Sequence, residues 1–241
     1  MTPRRGAGEE FQAVLERGWL AGMPSGFQAA VLEQARLVRY EAGEFTHHIG
    51  DNPGGIFGIV SGSFGVMGLN RMGGLTLGDI LRRGSWFGHG PMFTGRPRML
   101  AFRAMEPTAV AYVTLQSVEV ISQRLAGAGR CFAQLPEYNM NIYVEVLGDL
   151  LIRRSDQRIA AVLLRVSGAT AGVYPQETGD CAVTQSDLAE MANVSRHTMN
   201  AVLKDFAARG WIRLGYGRVA VSDAAGLAAF VTEENPGARG L

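Results

Sequence analysis

Arg196, His197, Asn200, Ala201 and Lys204 fall on one side of a helix whose other side carries Met199, Val202, Leu203 and Phe206, because the apolar set repeats with the helical period. The planar fork of an arginine matches the O6 and N7 acceptors of guanine bidentately, so Arg196 is the residue suited to a base-edge contact. His197 is open to two readings, a touch on a base or phosphate and simple solvation. The chemistry on offer is recognition by hydrogen bonding.

The elements around this helix would have to present it. Thr184 precedes an apolar-periodic run with Asp187 at the position where a carboxylate returns a capping bond, so a helix is expected from there. Ala192-Asn193-Val194 leaves room for a tight turn before Ser195 offers a second N-cap, which is the spacing of a helix-turn-helix. Gly210 ends the second helix, and Trp211, Ile212, Leu214 and the Val219–Val221 alternation read as two short strands joined by the flexible tip Gly215-Tyr216-Gly217. A winged helix-turn-helix is the expectation, with Ser195, Arg196, His197 and Asn200 at base edges in the major groove. Thr184, Gln185, Ser186, Lys204 and Arg218 are expected at phosphates. The competing reading is a three-helix packing element that binds protein or nothing.

The net charge of +1 excludes bulk attraction to nucleic acid. Within Thr184–Ser222, however, Arg196, Lys204, Arg209, Arg213 and Arg218 outnumber Asp187, Glu190 and Asp205, which supplies a local basic patch. With 241 residues, 47% of them hydrophobic and 19% charged, the composition fits a soluble protein of one large or two modest domains. Cys131 and Cys181 are too few for a disulfide framework or a cysteine-ligated cluster and are expected as buried small hydrophobes in a reducing compartment. The opening residues MTPRRGAGEEFQ carry no apolar stretch of a secretory signal, so the chain is expected in the cytoplasm without membrane association. The uncharged stretch Pro53–Asn70 holds six glycines and reads as a hairpin rather than a membrane span.

From about Arg36 to Thr114 short strands alternate with glycine-containing turns, which predicts an antiparallel barrel or double sheet. Between Val118 and Ile152 the pattern turns helical, with Met140, Tyr143, Val144, Leu147, Leu150 and Leu151 as its stripe. Arg153-Arg154-Ser155-Asp156 interrupts it before Ile159, Val162, Leu163 and Val166 open another helix. Phe11, Val14, Leu15, Trp19 and Leu20 form an amphipathic stretch expected to pack on the barrel, and the polar tail Glu233–Leu241 is expected to fray.

From roughly Phe27 to Val231 this layout resembles the cyclic-AMP receptor protein and fumarate-nitrate-reduction regulator (Crp/Fnr) family. The residues that carry the resemblance are the Gly62 turn, Gly84-Ser85-Trp86-Phe87-Gly88, Asp156-Gln157-Arg158-Ile159-Ala160, and Val194-Ser195-Arg196 with Leu203-Lys204. It implies an α+β fold: an N-terminal antiparallel β-roll or jelly roll of the cyclic-nucleotide-binding type, a long dimerisation helix, and the winged helix-turn-helix. The expected divisions are 1–129, 130–155 and 156–241. It further implies a homodimer joined along the long helix through Met140, Tyr143, Leu147 and Leu151, double-stranded DNA as partner at a pseudo-palindromic site, and RNA polymerase as a candidate partner.

The resemblance places an effector pocket at Trp86, Gly88, His89, Arg98, Met99 and Tyr143, and there the chain departs from the family pattern. The position of a ribose-binding glutamate holds His89, and Arg98, where the cyclic phosphate would lie, is followed by Met99 and Leu100. A neutral imidazole cannot accept two bonds as a carboxylate does, so binding of cyclic AMP in the usual way is not expected and the effector is left unidentified. His47, His48 and His89 are alternative metal or haem ligands, although neighbouring residues on a strand face opposite ways. Trp86, Phe87, Met92, Phe93 and Met99 are alternatively the lining of an apolar cavity or barrel core. The recognition helix also lacks the glutamate after its arginine that relatives use, which predicts a different target sequence. A cupin-type metal enzyme fused to a DNA-binding module is a further alternative, weakened by the absence of any His-x-His.

Overall fold

The computed structural model describes residues 11–169 and 180–233, so the tail beyond Glu233 lies outside the described residues. Two compact units divide within one long helix, between Val144 and Glu145. The class is α+β, as expected.

The first unit begins with α1 (Gln12–Glu16), a 3-10 turn (Leu20–Gly22) and α2 (Ser25–Gln34). Two antiparallel sheets come next. β1 (Arg36–Tyr40), β7 (Thr108–Val113), β2 (Ile56–Ser61) and β5 (Trp86–Phe87) lie in that order in one; β4 (Leu75–Arg82), β3 (Ser63–Leu69) and β6 (Ala101–Ala104) form the other. The hairpin read from Pro53–Asn70 is β2 and β3, turning at Gly62 with φ of +78°, where a Cβ would sit 2.3 Å from the Thr108 hydroxyl. Inward-facing aromatic rings fill the space between the sheets: Phe87 stacks on Phe102 at 4.1 Å and on Phe57 at 5.1 Å.

A second core lies under the N-terminal segment. Phe11, Val14, Trp19 and Leu20 are buried against Trp86, Val113 and Phe132, which fulfils the expectation for this amphipathic stretch. The helical region after the sheets is two helices, not one. α4 (Leu115–Arg124), capped by Thr114, stops before Gly127 with φ of +84°, and α5 (Ala128–Leu151) then runs on. α3 (Gly90–Thr94) is a single turn between β5 and β6.

The second unit contains α6 (Ser155–Val166), β8 (Cys181–Ala182), α7 (Gln185–Met191), α8 (Arg196–Ala208), β9 (Ile212–Gly215), β10 (Arg218–Val221) and α9 (Ala224–Thr232). The wing strands pair as expected, Val219 opposite Leu214, and β8 adds a third strand on the far side of β10. That strand and α9 are additions to the sequence reading. Phe206, Trp211 and Phe230 form an aromatic cluster that fixes α9 to α8, and Gln157 donates to the carbonyls of Phe230 and Glu233 at 2.9 Å. Cys181 is buried, but Cys131 is only half-buried, against the expectation for both.

Phe132 is fully buried, with the rings of Phe27 at 4.8 Å and Trp19 at 6.1 Å. Phe132→Ala should therefore lower unfolding stability by about 3–5 kcal/mol. Met72→Ala, at a side chain 97% exposed, should change it by less than about 0.5 kcal/mol in denaturant titration.

Candidate effector cavity and DNA-contacting face

The first unit contains a cavity of about 540 Å³ beside the end of β5, α3 and the segment leading into β6. Gly88, His89, Arg98, Met99 and Tyr143 line it together with His47. Trp86 does not. Its indole is fully buried in the core beneath the N-terminal segment, edge-on to Trp19 at 5.4 Å, because the β2–β5 pairing sets it over Gly58 and away from the cavity. Phe87 is likewise core and Phe93 is exposed, so Met99 alone of the apolar alternatives reaches the lining.

Gly88 makes the loop after β5 possible. It has φ of +87°, and a Cβ there would meet the Gly55 carbonyl at 2.9 Å. The freed carbonyl accepts from Arg98 Nη1 at 2.6 Å, while Nη2 donates to Gly55 O at 3.0 Å. Arg98 is only 4% exposed and its Nε has no hydrogen-bond partner. Burial lowers its pKa from the usual arginine value, partly offset by Tyr112 and Asp51, yet a guanidinium stays protonated.

Asn139, one turn after Pro136 in α5, is the residue that the sequence reading missed. It is 3% exposed, and its Nδ2 donates to Trp86 O at 3.0 Å and reaches His89 Nδ1 at 3.1 Å. An amide nitrogen can only donate, so His89 Nδ1 accepts and its proton sits on Nε2. Burial first and Arg98 second lower the His89 pKa to about 4. His47 is lowered to about 4 as well, again chiefly by burial. His48 is exposed beside the Phe45 ring at 4.7 Å while His47 lines the cavity, and the two lie in the loop between β1 and β2 rather than on a strand. No group of three or more metal-binding side chains gathers among the described residues.

In the second unit α7 and α8 are capped as the spacing predicts. Asp187 N donates to Thr184 Oγ1 at 3.1 Å and Thr184 N to Asp187 Oδ2 at 2.9 Å; Ser195 Oγ accepts from Thr198 N at 3.0 Å. The turn between them passes through Asn193 at φ of +48°, a conformation that asparagine tolerates better than most residues. Met199, Leu203 and Phe206 are buried, while Arg196, His197, Asn200, Ala201 and Lys204 are exposed on the opposite face. Gln185 is exposed and Ser186 half-buried at the start of α7. Thr184 commits its amide and hydroxyl to Asp187, and Arg218 at the wing lies 4.0 Å from Asp180. Arg158 ties this pair of helices to the end of α5, donating to Ala192 O at 2.6 Å and to Ile152 O at 2.5 Å. Arg165 of α6 pairs with Asp149 of α5 at 2.7 Å.

Along α5 the expected stripe is exposed: Met140 by 60%, Val144 by 59%, Leu147 by 57% and Leu151 by 71%. Tyr143 is not part of that exposed set. It is half-buried at the cavity, where burial and Asp79 push its phenol up to about 12. No helix of the described residues is long and apolar enough to cross a membrane.

Comparison with known proteins matches each unit separately. Residues 37–124 match the cyclic nucleotide-binding domain and residues 157–230 the Crp-like helix-turn-helix domain. A CRP-like cAMP-activated global transcriptional regulator of Mycobacterium tuberculosis is 28% identical over 222 residues, 88% of this chain and 95% of that protein. The transcriptional regulatory protein btr of Bordetella pertussis is 22% identical, covering 82% of each. Among solved structures, FixK2 from Bradyrhizobium japonicum superposes with a TM-score of 0.69 at 17% identity, over 83% of this chain and 99% of that one. A CRP-family regulator from Thermus thermophilus gives 0.66 at 19% identity, over 81% and 97%. The two matched domains, in this order with the long helix between them, make the chain a member of the Crp/Fnr family of transcription regulators, not a cupin-type enzyme.

Proposed function

We propose that this regulator acts as a homodimer on a pseudo-palindromic operator, under the control of an effector in the N-terminal barrel other than cyclic AMP. Its working parts are a sensing domain at 1–129, a dimerisation helix at 130–155 and a DNA-binding domain at 156–241. The observation that carries the DNA reading is the division of α8, with Met199, Leu203 and Phe206 holding it to the domain while Arg196, His197, Asn200 and Lys204 stay free to enter a major groove. Arg196 reads a base in this arrangement and Lys204 holds a phosphate. Of the phosphate contacts assigned from sequence, Gln185 and Ser186 remain available at the start of α7, whereas Thr184 serves the helix cap.

The dimer reading rests on spacing. Met140, Val144, Leu147 and Leu151 alternate steps of four and three residues, which is the seam of a two-stranded coiled coil, and all four are exposed in a single chain. Burying such a seam against its copy removes from water an apolar surface that one chain leaves bare.

The reading against cyclic AMP rests on His89 and on the two residues after Arg98. The M. tuberculosis relative is described as cAMP-activated. Here a neutral imidazole with its Nδ1 already occupied by Asn139 stands where the ribose hydroxyl would need a carboxylate. Met99 and Leu100 bring no hydroxyl to the phosphate.

Arg196→Ala should cost about 1–3 kcal/mol on the cognate operator and relax specificity at one base pair per half-site, whereas Lys204→Ala should weaken all duplexes alike. Fluorescence anisotropy on cognate and scrambled DNA separates the two; equal losses on both duplexes for both variants would refute the roles. Leu147→Glu should convert the protein to monomers in light scattering and abolish tight operator binding. The imidazoles give a pH signature. Because folding lowers both pKa values from 6.5 to about 4, the unfolded chain takes up protons in that window that the folded chain refuses. Their contribution to stability is complete above about pH 6.5 and is lost as pH falls toward about 4. The fall in unfolding midpoint across this window should be shallower in His89→Gln, and an unchanged slope would contradict it.

A further inference from the structure

We propose that the barrel cavity takes a small organic anion with an apolar body, its charge met by Arg98 and the Nε2 proton of His89; this rests on the reading of the barrel as the effector domain. No aspartate or glutamate is among the lining residues, while Arg96 and Arg98 both are. Arg98 is a buried cation whose two terminal nitrogens are held by carbonyl dipoles and whose Nε is unsatisfied. Tyr112 and Asp51 offset only part of the burial cost, no carboxylate among the described residues is hydrogen-bonded to the guanidinium, and a ligand anion at the free Nε supplies the missing charge-assisted bond.

The other polar groups agree in sign. Asn139 holds the His89 Nδ1 as an acceptor, so the remaining ring nitrogen is a fixed donor. Tyr143, neutral with its phenol pushed up to about 12, adds a further O–H. Donors surround the cavity, and no side-chain carboxylate is there to accept from sugar hydroxyls. Apart from His47 and Thr94, the rest of the lining is apolar or glycine. Leu69 and Met99 are 58% and 82% exposed while lining the cavity, as expected of a mouth that an apolar ligand body covers. A carboxylate and a monoester phosphate share this chemistry.

The test is calorimetric titration of the full-length protein with octanoate and with octyl phosphate, beside 1-octanol and cyclic AMP. At least one of the two anions should bind about 30-fold or more tightly than octanol. Arg98→Gln should remove that preference, with circular dichroism reporting the fold. Met99→Glu, a change at an exposed side chain that leaves packing untouched, should weaken the anions about 10-fold or more and spare octanol. Octanol binding as well as both anions, or neither anion binding, overturns the proposal. Sequence-specific binding to DNA in either case leaves the regulator reading standing. Binding of cyclic AMP alone overturns both the proposal and the exclusion of that nucleotide.

Discussion

The carboxamide of Asn139 joins the loop that lines the barrel cavity to the helix that carries the exposed apolar stripe. Its amide nitrogen spans Trp86 O and His89 Nδ1 and is itself buried. A buried amide holds its partners because a broken bond would leave donor and acceptor without solvent. The loop after β5 therefore cannot shift without disturbing α5 or leaving a polar atom unpaired. His89 faces the cavity with the tautomer that this bond dictates, and Gly88, one residue earlier, gives its carbonyl to Arg98. Cavity chemistry and helix position are thus set by one short chain of hydrogen bonds.

The DNA-binding unit is organised by a different division of labour. Apolar residues on one side of α8 and the aromatic cluster of Phe206, Trp211 and Phe230 fix the helix to its domain, so the exposed side is free of structural duty. Arg209, counted in the basic patch from sequence, packs over Trp211 at 4.9 Å and pairs with Asp205 at 2.8 Å, which makes it part of the scaffold. Arg158 plays a similar part at the turn between α7 and α8. The exposed charge left for DNA is smaller than a residue count suggests, with Arg196, Lys204, Arg213 and Arg218 at the surface.

Whatever local rules determine was legible in the sequence. The caps at Thr184 and Ser195, the end of α8 at Gly210, the wing hairpin and the hairpin through Gly62 depend on short-range spacing, and each stands where the residues predict. The misses come from long-range pairing. Trp86 reads as a cavity residue beside Gly88, yet its strand register sets it over Gly58 and into the core beneath Trp19. Asn139 shows no periodic signal, because a single polar residue on an apolar face is informative only once its partners, about fifty residues away, are known. β8 is too short to announce itself and exists through its pairing with β10. Tyr143 is assigned both to the stripe and to the pocket from sequence, and packing decides for the pocket, beside Arg98 and His89.

We propose that two copies of this chain read DNA through paired recognition helices. Selection from a random duplex pool by the purified protein at near-physiological salt, with and without octanoate, tests it most directly, since salt sets the balance between specific and non-specific binding. Enrichment of a two-fold palindrome whose half-sites lie about one helical turn apart is expected. An enriched sequence without two-fold symmetry, or no enrichment under either condition, would contradict it.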